Sequence, residues 1–170
     1  STLVVGPPQS GRSTTLGRLA LLAAREQQEL IVIDGGDGLA DMQEGAAVST
    51  YLTARRPRLV MRALALLADP SRRPRDGHLR HIIVDHLDLV VAELERTDYS
   101  TGGTLLPELL SRAGGSIRIT AAGPERLRHQ RIAAGFREVI ELGGAGAEQG
   151  AGRGTWSGRV IQVVDAAAAS

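Results

Sequence analysis

The stretch GPPQSGRST, Gly6 to Thr14, constrains this chain more than any other, because it has the spacing G-x-x-x-x-G, a basic residue, then Ser or Thr, of a loop that wraps phosphate. Such a loop works only where a strand leads in and a helix leads out. Consecutive backbone N–H groups then curl around phosphate oxygens, and the helix turns its positive end toward them. Both flanks are present: TLVV before the loop is apolar and β-branched, and Leu16, Leu19, Ala20, Ala23 and Ala24 recur at helical spacing to about Glu29. The nucleotide-binding set is therefore Gly6, Pro7, Pro8, Gln9, Ser10, Gly11, Arg12, Ser13 and Thr14. One letter departs from the pattern, since Arg12 stands where lysine is usual. All twenty basic residues are arginine, so the exchange has a compositional reading as well as a chemical one. A guanidinium keeps the charge but is larger and planar, so binding survives it more readily than catalysis.

Beyond the loop, short apolar runs alternate with helical patterns. Strands are expected at Leu30 to Asp34, His81 to Asp85, Ser116 to Ala122, Arg137 to Leu142 and from Arg159. Helices are expected at Arg58 to Ala68, from Leu87 to about Arg96, at Thr104 to Ala113, and as a short piece from Pro124 to about Ala134. Loops are expected at 69–77, at 97–103 and through the glycine-dense 143–158. This alternation predicts an α/β fold with a mostly parallel sheet flanked by helices.

The run HIIVDH ends in Asp85, and a carboxylate at the end of a buried parallel strand faces the ligand crevice. Ser13 and Asp85 are thus the expected holders of Mg²⁺, Asp85 through water. His86 follows, where many ATPases of this architecture carry a carboxylate that prepares the attacking water. Arg12 and His86 fall at the two most demanding positions for hydrolysis, which points to a slow or inactive ATPase, with no catalytic residue assigned. Asp34, Asp37 and Asp41 lack the spacing of a calcium loop and read as turn and capping residues.

Composition excludes several alternatives. With 170 residues and 42% hydrophobic content, one domain with a sizeable core is expected. A net charge of +1 and an aromatic content of 2% leave no electrostatic footprint and no stacking platform, so no direct nucleic-acid contact is expected. The absence of cysteine removes thiolate metal sites, and His78, His81, His86 and His129 form no H-x-x-x-H pair, which argues against zinc. No apolar run reaches the roughly 18 residues of a membrane helix, so this module is expected to make no membrane contact. The chain opens already inside a strand and reads as a module of a longer protein.

These residues resemble the ATPase modules of the FtsK/SpoIIIE family, in particular the C-terminal, degenerate modules of EccC, the motor of type VII secretion. The likeness spans nearly the whole chain. It rests on LVVGPPQSGRSTTL, HIIVDHLDLV, SIRITAAG and the closing GAGRGTWSGRVIQVV, in which Gly152, Arg153, Gly154 and Gln162 match the family's ending and Ala151 replaces its proline. The resemblance implies a RecA-like P-loop NTPase module over residues 1–165 with a tail at 166–170, ATP and Mg²⁺ as cofactors, and Thr120 as sensor of the outer phosphate. It also implies adjacent ATPase modules of the same chain as partners, oligomerisation of the full-length protein, and in some cases docking of the C-terminal signal of a small helical secreted protein. The location implied is the cytoplasmic side, in a parent anchored in the plasma membrane. Two alternatives remain beside this regulatory or substrate-docking role: an active, DNA-translocase type motor in which Arg12 serves for lysine, and a nucleotide-free docking scaffold.

Overall fold

The computed structural model describes residues 1–43, 48–69, 71–72, 79–143 and 152–163. β1 (Thr2–Val5), β2 (Glu29–Asp34), β3 (Thr50–Thr53), β4 (Arg80–Asp85), β5 (Ile117–Gly123), β6 (Glu138–Leu142), β7 (Arg153–Trp156) and β8 (Arg159–Gln162) form one sheet in the order β3-β2-β4-β5-β1-β6-β7-β8. The first six are parallel, and β7 and β8 add an antiparallel edge. Four helices flank it: α1 (Arg12–Arg25), α2 (Pro57–Ala68), α3 (Leu87–Thr97) and α4 (Tyr99–Arg112).

Strand alternation sorts the core onto two faces. Leu3, Val5, Ile82 and Val84 pack with Val60 and Leu64 of α2, Val90 of α3 and Leu106 and Leu109 of α4. Val4, Val32 and Ile83 point the other way and meet Leu16, Ala20 and Ala23 of α1. Strands buried on both faces read as continuous apolar runs, which is why β2 and β4 are plain in the sequence. Because the strands are parallel, Val5, Asp34, Asp85 and Gly123 all end at the same edge, where the first loop turns into α1.

Several elements differ from the sequence expectation. β3 was not expected; TYLT is a four-residue edge strand, only partly buried. α4 begins five residues earlier than its apolar pattern because Asp98 caps it, accepting from the N–H groups of Ser100 and Thr101. Gly102 sits there for packing: a Cβ on it would stand 2.2 Å from the Leu94 carbonyl. The stretch 124–134 forms two 3-10 turns, Glu125–His129 and Arg131–Gly135, rather than a helix. The glycine-dense 143–158 contains β7 at its end. The tail 166–170, part of the arginine-rich loop 69–77 and the middle of the glycine-dense stretch lie outside the described residues.

Candidate nucleotide site

The loop leaves β1 at Gly6 and enters α1 at Arg12. Gly11, the N-cap, has φ of +89°, a left-handed conformation that glycine adopts without cost. The N–H groups of the first turn have no acceptor within the helix. Thr15 closes the turn, its N–H and its Oγ1 both donating to the Gly11 carbonyl at 2.8 Å. No acidic residue stands in this turn to compete for an anion. Pro7, Pro8, Gln9 and Thr14 are exposed, whereas Ser10 is buried and its Oγ meets no partner. Nη1 of Arg12 is also buried without an acceptor.

Asp85 arrives from the end of β4, 2% exposed. Its Oδ1 accepts from the N–H of His86 at 2.9 Å, and its Oδ2 meets no donor. The loop after β2 brings Gly38 over this oxygen: a Cβ there would stand 2.5 Å from Asp85 Oδ2 and 2.8 Å from Ser13 Oγ. Ser13 and Asp85, 72 positions apart in sequence, therefore converge on one small space. A hard divalent cation suits such an oxygen pair, so the residues present fit Mg²⁺ beside a phosphate. His86 has φ of +49°, uncommon for a residue with a side chain, and its Nδ1 lies 3.4 Å from Asp85 Oδ2 without a hydrogen-bond partner.

Asp34, in register with Asp85 on β2, plays the turn role expected of it. Its Oδ1 accepts from the N–H of Gly36 at 2.9 Å, and its Oδ2 accepts from the N–H of Leu39 at 2.8 Å and from the hydroxyl of Tyr51 at 2.7 Å. Burial, then the hydrogen bond to Asp34, raises the Tyr51 pKa well above its ordinary value, so Tyr51 remains a donor at neutral pH. Tyr51 and Gly38 are the site residues that sequence reasoning missed. A hint lay in GGDG, whose glycines are needed where backbone passes close to other atoms. Asp37 and Asp41 are exposed, and Asp37 pairs with Arg55.

Thr120 is not at this edge, which corrects its expected role as phosphate sensor. It does lie on the strand between β4 and β1, but in register with Thr2 at the start of β1, three residues short of the end of β5. It is 2% exposed, and its Oγ1 bonds His81 Nε2 at 2.9 Å. Burial, aided by Arg118 and the amino terminus, lowers the His81 pKa to about 4, so the ring is neutral and the pair belongs to the core.

The closing glycine motif does reach the site. The N–H of Gly152 donates to the Ser10 carbonyl at 2.8 Å, and the N–H of Gly143 donates to the Arg153 carbonyl at 2.7 Å. Gly154 lies so close to β6 that a Cβ would stand 2.0 Å from the Glu141 carbonyl. Arg153 and Gln162 are exposed partners in the β7–β8 register. Away from the site, a groove of about 940 Å³ lies between α3, α4 and the 3-10 turns, with Val91, Leu106, Leu110 and Ile132 among its lining.

No protein-family model matches the sequence, and no curated protein matches it significantly. Solved structures do match. The cytoplasmic domain of the Thermomonospora curvata type VII secretion ATPase EccC superposes with a TM-score of 0.63 at 17% identity, over 95% of this chain and 23% of that one. A structure of ATPases 2 and 3 of the same EccC, in complex with a signal sequence peptide, gives 0.63 and 17% over 91% of this chain and 34% of that one. The cytoplasmic domain of EssC gives 0.52 and 16% over 94% and 35%. The chain thus spans about a quarter to a third of the length of these proteins. The fold is that of a RecA-like P-loop ATPase domain.

Proposed function

We propose that this chain is an ATP-binding, weakly or non-hydrolysing module of an FtsK/SpoIIIE-type motor in type VII protein secretion, with a regulatory or substrate-docking role. One observation carries the nucleotide part. Of seven buried side-chain polar atoms without a partner among the described residues, two belong to Ser10 and Arg12 of the loop and two to Asp85 and His86 at the end of β4. Native chains rarely leave such atoms unpaired, because each costs about 1–3 kcal/mol, so four of them on the segments that meet at this sheet edge argue for a polar ligand. Arg12 and the amides of the first turn would hold phosphate oxygens of ATP. Ser13 and Asp85 would hold its Mg²⁺, which supplies charge neutralisation for the outer phosphates.

The quiet reading rests on β4's end. The residue directly after Asp85 is not a carboxylate, and the imidazole of His86 is held against the loop after β2, where a Cβ on Gly36 would stand 2.8 Å from its Nδ1. The motor assignment rests on the likeness in fold to EccC and EssC domains, one of which was solved with a signal sequence peptide. In that setting the module would sit beside other ATPase modules of a longer chain, on the cytoplasmic side of a membrane that anchors the parent. No helix among the described residues is long and apolar enough to cross a membrane. The groove beside α4 is of a size to accept a peptide segment.

The test is a calorimetric titration of the purified chain with ATP in Mg²⁺, followed by a phosphate-release assay. One ATP per chain with phosphate release near background supports the proposal. Turnover on the order of 1 s⁻¹ would restore the active-motor reading, and no uptake of ATP would remove the nucleotide part.

A further inference from the structure

His86 is explained by neither the fold nor the retained ATP pocket. It is a non-glycine residue in the left-handed region, an unfavourable conformation that persists only where its surroundings enforce it. The enforced result is a ring nitrogen 3.4 Å from a carboxylate oxygen, with neither atom hydrogen-bonded. Ligand atoms of Asp34, Asp85 and His86 all lie within 4.8 Å of one another. Asp34 accepts three hydrogen bonds, from Gly36, Leu39 and Tyr51, which hold it in place and leave it adding negative charge beside the other two. Asp85 Oδ2 and His86 Nδ1 are the open pair.

We propose that Asp85 Oδ2 and His86 Nδ1 directly ligate a first-row transition-metal dication, which this pocket prefers to Mg²⁺. Three observations carry this. The first is separation: two ligands side by side on one ion at about 2.0–2.2 Å stand roughly 3 to 3.5 Å apart, which the 3.4 Å spacing matches. The second is space, since Gly38 leaves open the position where a Cβ would crowd Asp85 Oδ2 and Ser13 Oγ. The third is donor chemistry. An imidazole nitrogen suits the later first-row metals, whereas Mg²⁺ takes oxygen and keeps its waters. The chain lacks cysteine and a histidine pair at metal-ligand spacing, and the fold supplies an aspartate beside His86 instead. This inference deepens the ATP-site reading by naming the class of its cation, but the protein ligands are in place without nucleotide.

The experiment uses Cu²⁺, which imidazole suits, as paramagnetic probe on the metal-free and nucleotide-free chain. Loss of the free-ion resonance gives affinity, pulsed resonance detects coupling to ¹⁴N, and Mg²⁺ competition gives preference. The wild type should bind one Cu²⁺ with nitrogen coupling, about tenfold or more tighter than Mg²⁺. His86→Asn, which tolerates the left-handed backbone, should lose the coupling and about tenfold or more in Cu²⁺ affinity. Gly38→Ala, whose backbone is not in the left-handed region, should lose binding by filling the space. Absence of nitrogen coupling in the wild type, or equal affinity in His86→Asn, would overturn the proposal. ATP titration of the same proteins in chelator separates the two readings: ATP uptake without a nitrogen-coupled ion leaves only this inference refuted, and a nitrogen-coupled ion without ATP uptake supports it while refuting the nucleotide reading.

Discussion

Strand β4 carries two buried polar residues four positions apart, His81 at 3% exposure and Asp85 at 2%, on the same side of the strand by parity but with different environments. His81 sheds its proton and bonds Thr120, so burial leaves a neutral ring with one partner. Asp85 satisfies one oxygen locally and leaves the other beside His86, Gly38 of the loop after β2 and Ser13 of α1. Burial alone therefore does not mark the site. What marks it is that unpaired groups converge at the strand's C-terminal end, where parallel topology gathers loop ends.

The contrast can be broken most forcefully at Asp85. Asp85→Ala and Gly38→Ala should each weaken Mg²⁺-dependent ATP binding about a hundredfold, ~2.7 kcal/mol, by calorimetry. The Asp85→Ala chain should melt close to wild type, because it loses a buried oxygen that had no donor together with the acceptor of the His86 N–H, two changes of opposite sign. At His81 the effect should appear in stability and its pH dependence. Its folded pKa of about 4 lies below the ordinary 6.5, so the unfolded chain takes up the proton first as pH falls. Stability from this source is constant above pH 6.5 and falls progressively toward pH 4, the loss reaching about 2 kcal/mol by pH 5. Urea unfolding across that range should show the slope in the wild type and a shallower one in His81→Gln.

A smaller effect sharpens the correction at Thr120. Thr120→Val should cost about 1–2 kcal/mol by leaving His81 Nε2 unpaired, with ATP affinity within about twofold of wild type. A large loss of ATP affinity there would return Thr120 to the site. The smallest effect belongs to Arg12→Lys: both side chains carry the charge, so affinity should stay within about threefold, ~0.6 kcal/mol.

Much of this was legible before any coordinates. The phosphate loop, β4 and Asp85 stood out because an apolar run ending in a carboxylate and a glycine spacing between strand and helix are local patterns. Gly38 was not, since its role depends on β2 and β4 lying side by side with Asp34 opposite Asp85. Thr120 was misplaced for the same reason: its strand was right, but its height along β5 is set by register with Thr2, which no local pattern reports. The contact between Gly152 and Ser10 spans nearly the whole chain and is visible only once β7 folds back beside β6.

The most direct test is equilibrium dialysis of labelled ATP against the wild type and Gly38→Ala, with and without Mg²⁺. The account predicts one ATP per wild-type chain, retention strengthened by Mg²⁺, and loss of that Mg²⁺ increment in Gly38→Ala. ATP failing to be retained by the wild type, or retained identically by both proteins with Mg²⁺ present, would contradict it.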